Sequence, residues 1–123
     1  MEFDPVSQQV LGLMIEVHRH LGPGLLESAY QACLAYELRS SGLSFAAEVS
    51  LPVRYKGLAL DGAYRMNFVI EDQLVLELKS VDSLLPIHEA QLLTYLRLAR
   101  LKTGLLVNFN VPLLRQGIKR LVL

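Results

Sequence analysis

From Pro5 to Leu21 the apolar residues Val6, Val10, Leu13, Met14, Val17 and Leu21 recur three and four apart, which predicts a helix with one buried stripe. "LGPG" at 21–24 stops it, because proline lacks a backbone donor and glycine is a poor helix former. A second helix is predicted from about Leu25 to Ser41, with Gly42 placed to close it. Beyond Gly42 the period changes to alternation. "EVSLPVRYKG" sets Val49, Leu51, Val53 and Tyr55 against polar neighbours and reads as one half-buried strand, with Pro52 marking an edge or a bulge. "GLALDG" reads as a turn region, and "YRMNFVIEDQLVLELKS", residues 64–80, as two strands around a short polar turn. "VDSLLP" is a loop, and Pro86 opens a third helix that runs to about Ala99. "KTGLLVNFNV" reads as a short buried strand and "IKRLVL" as a final edge strand. The predicted order, α-α-β-β-β-α-β-β, is that of an α/β fold in which helices flank a mixed central sheet. A chain of 123 residues is most simply one domain, 1–123.

The hairpin carries polar residues that an apolar hairpin does not need. Glu77 and Lys79 are two apart and share a face of their strand. A two-residue turn at Glu71 and Asp72 would set Asn67 opposite Leu76, whereas a three-residue turn, Glu71 to Gln73, pairs Ile70 with Leu74. Asn67 then faces Glu77, with side-chain roots about 5 Å apart. The three-residue turn is expected, because it alone gathers all three polar groups. Two oxygen-bearing side chains so placed suit a hard cation such as Mg²⁺, and a neighbouring ammonium can orient a water or balance a phosphate. For a bare Glu-x-Lys pair the ordinary alternative is a solvated strand end. Other residues shift that balance. Glu27 and Tyr30 lie three apart on the second helix, and His88, Gln91 and Tyr95 share a face of the third.

Composition narrows the setting. The hydrophobic fraction is 52% and mean hydropathy is +0.34, which implies a rich core or an apolar surface that meets a partner, a homodimer included. No apolar run approaches the roughly 18 residues of a membrane span. The opening "MEFDPVSQQV" lacks a signal-peptide layout, so a cytoplasmic address is expected. A lone cysteine, Cys33, excludes an internal disulfide and a cysteine zinc cluster, and its place on the apolar helix face reads as core. His18 and His20, two apart on a helix, make a poor metal pair. Net charge is zero, yet residues 1–82 carry a net −5 and residues 83–123 a net +5. Arg97, Arg100, Lys102, Arg115, Lys119 and Arg120 are therefore candidates for a nucleic-acid-binding patch or for a solvated rim.

With these residues in view the chain resembles the GxxExxY proteins of the PD-(D/E)XK nuclease superfamily. Gly24, Glu27 and Tyr30 match the naming motif, and "LELKS" matches the Glu-x-Lys motif. "HEAQLLTYL" resembles the Gln-x-x-x-Tyr helix of RecB-like nucleases, and "GLLVNFN" is similar to the strand that follows it. The resemblance covers roughly residues 10–122. It implies a restriction-endonuclease-like core and a Mg²⁺- or Mn²⁺-dependent hydrolysis of phosphodiester bonds in DNA. It also implies roles: Glu77 as metal ligand, Glu27 as the helix acid at the metal or its water, Lys79 as the catalytic lysine. Gln91, Tyr95 and Tyr30 would support the site or contact phosphate. The family usually has Asp in the position of Asn67, where this chain reads "RMN". Asn67 keeps an oxygen for the metal and loses the charge, so weakened activity is expected. The alternative is a nuclease-fold protein that binds nucleic acid or a protein without cutting.

Overall fold

The computed structural model describes residues 3–62 and 64–123. Helix α1 spans Pro5–Leu21, as its apolar period predicts. The Asp4 carboxylate caps it, accepting the Ser7 N–H at 2.9 Å and the Ser7 hydroxyl at 3.0 Å, and Pro5 fills the first turn. The Ser7 N–H bond holds the Asp4 carboxyl below its usual range. Helix α2 spans Glu27–Ser41 and ends on Gly42, whose φ of 82° is the left-handed conformation that closes helices. It starts two residues later than its sequence pattern suggests. The Leu25 N–H is taken by the Tyr30 hydroxyl at 3.2 Å, and the Leu26 carbonyl accepts the first helical bond, from the Ala29 N–H.

Five strands form the central sheet in the order β1 (Phe45–Ser50), β4 (Arg65–Ile70), β5 (Leu74–Lys79), β6 (Thr103–Asn108), β7 (Ile118–Val122). Helix α3 (Pro86–Ala99) crosses from β5 to β6, the parallel pair, and every other neighbour in this sheet is antiparallel. This is the expected α/β architecture, with two more strands than the sequence reading supplied. Pro52 does not mark a bulge in one strand; it separates β1 from β2 (Val53–Tyr55). Part of "GLALDG" is not a turn but β3 (Leu58–Leu60), which pairs with β2 as a separate two-stranded ribbon. Lys56 and Gly57, at φ 48° and 85°, make the tight connection whose twist suits such a ribbon.

The sheet is covered on both faces. Val10 and Met14 of α1 and Tyr30, Leu34 and Leu38 of α2 pack on Phe68, Ile70, Leu74, Leu76 and Leu78. Leu92, Tyr95 and Leu96 of α3 pack on Leu51, Met66, Val75 and Leu106. Strand alternation would put Met66 and Phe68 on one face, yet they belong to different layers. The break falls at Asn67, and opposite it on β1 stands Glu48 with φ of 53°, a conformation uncommon outside glycine.

Candidate active site

The β4–β5 turn has the expected three residues. Ile70 pairs with Leu74, Val69 with Val75 and Phe68 with Leu76, and Glu71 and Asp72 take up positive φ to reverse the chain. The next pair in that register is Asn67 and Glu77, and there the backbone ladder stops. Side chains replace it. The Glu77 carboxylate accepts the Asn67 backbone N–H at 3.0 Å, and the Asn67 Oδ1 accepts the Leu78 backbone N–H at 2.8 Å. The strands part at this point, and the polar residues fill the gap while satisfying both backbone donors.

Glu77 is 5% exposed, between Leu76 and Leu78, which are fully buried. Burial pushes its carboxyl up to about 7, because the charged form loses hydration. The Asn67 N–H and the Lys79 ammonium pull it down, while the charges of Glu27 and Glu48 push it further up. Lys79, half-buried at the end of β5, makes no ion pair among the described residues. Glu27 begins α2 and is brought to this end of the sheet by the preceding loop, which Ser80 ties down by donating to the Leu25 carbonyl at 2.6 Å. On α3, Gln91 Nε2 donates to the Tyr95 hydroxyl at 2.8 Å. Burial raises the Tyr95 pKa, and the charge of Glu77 raises it further, which places Tyr95 in the field of the same carboxyl.

Tyr30 is placed differently from the other candidates. Its hydroxyl donates to the Gly22 carbonyl at 2.6 Å while accepting the Leu25 N–H, and its ring stacks on Phe109 at 4.5 Å. It fixes the loop that carries Glu27, and its oxygen is already engaged within the fold. His88 Nδ1 accepts the Leu85 N–H at the start of α3. His18 is buried against the Val111 carbonyl, and Cys33 is half-buried at the margin of the core. Two residues at the site were not among the candidates. Gln31 accepts the Asn67 Nδ2 at 3.1 Å, and Glu48 accepts Gln31 Nε2 at 2.5 Å. The available signal for Gln31 was its spacing, one helical turn after Glu27.

A family profile described as the PD-(D/E)XK nuclease superfamily matches residues 4–121. The chain belongs to that superfamily. No curated protein and no solved structure gives a match. The likeness to GxxExxY proteins is finer than this match and rests on Gly24, Glu27 and Tyr30.

Members of this superfamily typically use divalent metals. No group of three or more His, Cys, Asp or Glu is arranged to cage an ion among the described residues. Mg²⁺ does not require such a cage, since it is usually held by one or two carboxylates with water and phosphate completing the shell. The groups that would hold it here all offer oxygen: Glu77, Glu27 and the neutral amide of Asn67. A carboxyl pushed up to about 7 chiefly by burial, with the charges of Glu27 and Glu48 adding to the effect, is one whose charged form a hard cation would stabilise. The donor set fits the ion, with Asn67 as its weakest member because Oδ1 already accepts the Leu78 N–H.

Two clefts open near these elements in very different relation to the chemistry. The larger, about 450 Å³, lies between the end of α1 and the Leu113–Gln116 turn and holds none of these residues. A cleft of about 310 Å³ lies along α3, walled by Tyr64, Ile87, Gln91, Tyr95 and Leu98, and so adjoins the site. The basic residues of the C-terminal third do not converge there. Arg100 and Lys102 line a cleft at the far end of the sheet, Arg115 lines the 450 Å³ cleft, and Lys119 pairs with Glu89 at 2.8 Å. No helix among the described residues is long and apolar enough to cross a membrane.

Proposed function

We propose that this domain hydrolyses phosphodiester bonds of DNA with Mg²⁺ or Mn²⁺ held by Glu77 and Glu27, at a rate lowered by the amide at position 67. The observation that carries the reading is the buried Glu77 carboxyl, raised to about 7 where β4 and β5 part, with Lys79 two residues further on. A bound divalent cation would supply positive charge to the scissile phosphate. Glu77 must give up its proton to serve as a ligand, so its ionisation and cation binding are linked. The Lys79 ammonium, free of ion pairs among the described residues, is available to balance charge that builds on the phosphate or to orient the attacking water. Tyr95 and Gln91, bonded to each other, stand on the α3 side of the site, where the adjoining cleft leaves room for a substrate to approach. Lys79→Ala is expected to lower cleavage of mixed DNA substrates in Mn²⁺ on the order of 10²-fold or more. Native protein that cuts no faster than this variant would exclude the nuclease reading.

One observation favours a second reading, a nuclease fold that binds without cutting. The Asn67 oxygen that would face a cation is engaged by the Leu78 N–H, and an amide brings no charge. Retention of labelled DNA by protein that gives no cleavage above the Lys79→Ala level supports this reading.

A further inference from the structure

Asn67, Gln31 and Glu48 form a hydrogen-bonded chain whose direction is fixed from both ends. At one end the Leu78 backbone N–H can only donate, so the Asn67 atom that meets it is Oδ1. Nδ2 of Asn67 then points at Gln31 and donates to its Oε1. That leaves Gln31 Nε2 to donate to the Glu48 carboxylate, which as an anion can only accept. A pure donor at one end and a pure acceptor at the other allow both amides one orientation.

The backbone is arranged to close this chain. Glu48 stands between the pairs Ala47–Phe68 and Val49–Met66, directly across from Asn67, yet no ladder pair forms there. Its φ of 53° turns it out of the regular strand, and its carboxylate meets Gln31 on α2. Its charge acts on Glu77 in the same direction as that of Glu27. We propose that Glu48 is a positioning residue of the site: it carries the carboxylate charge that position 67 lacks and, through Gln31, sets the orientation of the Asn67 amide. This deepens the site reading given above and rests on it, although its test requires no cleavage.

The chain has a second allowed form. An aspartate at position 67 would leave Gln31 between two carboxylates, and whichever way its amide turns, its oxygen meets one of them. A glutamine at position 48 removes the conflict, since Gln31 can then turn over, donate to the aspartate and accept from the new amide. Native Asn67 with Glu48, and aspartate with glutamine, are two directions of one chain with the same total charge. Asn67→Asp alone is therefore not a simple restoration of a missing ligand.

Thermal midpoints by circular dichroism test this for the native chain, Asn67→Asp, Glu48→Gln, the double variant Asn67→Asp/Glu48→Gln and the control Asn67→Asp/Glu27→Gln. Asn67→Asp is expected to lower the midpoint by several degrees, and Glu48→Gln to restore most of that loss. Glu27→Gln removes the same charge without touching the chain and is expected to restore far less. An equal loss from Asn67→Asp in both backgrounds at position 48 overturns the proposal, as does equal rescue by Glu27→Gln. Should Asn67→Asp fail to fold, a folded double variant supports the proposal and an unfolded one overturns it. Absence of DNA cleavage would remove the nuclease reading and leave these midpoints, and what they decide, unchanged.

Discussion

Glu77→Gln is expected to make the protein more stable above pH 7 and to abolish any cleavage. The folded-state carboxyl titrates near 7 against an ordinary value of 4.5. Between those values the folded chain binds more protons at this position than the unfolded chain, so stability falls as pH rises through the window and levels off above it. Converted by the cost of one pH unit, the full effect is about 3 kcal/mol, or roughly 10 °C in the midpoint for a domain of this size. Glutamine keeps an oxygen for the Asn67 N–H at 3.0 Å and never ionises. At about pH 8 the variant should therefore melt higher than the native chain, and near the ordinary carboxylate pKa the two should converge. Melting curves in buffers across this range, with and without Mn²⁺, check it. Mn²⁺ should raise the native midpoint in the alkaline buffers and leave that of the variant unchanged. A variant that melts lower than the native chain in alkaline buffer would mean that the Glu77 charge is compensated within the fold.

Gly117→Ala is expected to destabilise the chain by about 3 kcal/mol or more, the upper range for overpacking. A Cβ at this position would stand 2.1 Å from the Asn108 carbonyl oxygen and 3.1 Å from its carbon. Both are backbone atoms, so no side-chain rotation relieves the clash. Asn108 ends β6 and also holds the segment after Lys79, since its side chain accepts the Val81 N–H at 3.1 Å and donates to the Val81 carbonyl at 2.9 Å. Displacing Asn108 thus moves the backbone that follows Lys79. Gly104→Ala should be milder, because the atoms in its way belong to the Leu92 side chain. Gly12→Ala, with nothing within 4 Å on an exposed helical face, should instead stabilise by up to about 1 kcal/mol. Urea midpoints of the three variants establish the order. A midpoint for Gly117→Ala equal to the native one would show that β6 and the turn before β7 separate without loss.

The parts of the fold that were legible in the sequence are those set by local chemistry. Pro5, Gly42 and Pro86 mark three helix ends, and residue parity across Glu71–Gln73 settles the pairing of Asn67 with Glu77. The β2–β3 ribbon was hidden because its strands have three residues each and are mostly exposed, too short and too open for a hydrophobic period. Tyr30 shares a helix with Glu27 at a spacing that suggests a shared role, but its hydroxyl reaches back to Gly22, eight residues before it. Gln31 and Glu48 escaped for a different reason. Their bond joins residues 17 apart in the chain and depends on a positive φ at Glu48, which no propensity of glutamate announces.

The parting of β4 from β5 has a spectroscopic consequence. The amide protons of Asn67 and Leu78 are held by side chains, whereas those deeper in the hairpin belong to the sheet ladder. Exchange of these two amides with solvent deuterium therefore reports the state of the site rather than the global opening of the sheet. Protonation of Glu77 weakens the acceptor of the first, and rotation of the Asn67 amide releases the second. In a native-state exchange experiment these two resonances act as a local gauge, readable without substrate, of whether the carboxyl and the amide hold their places.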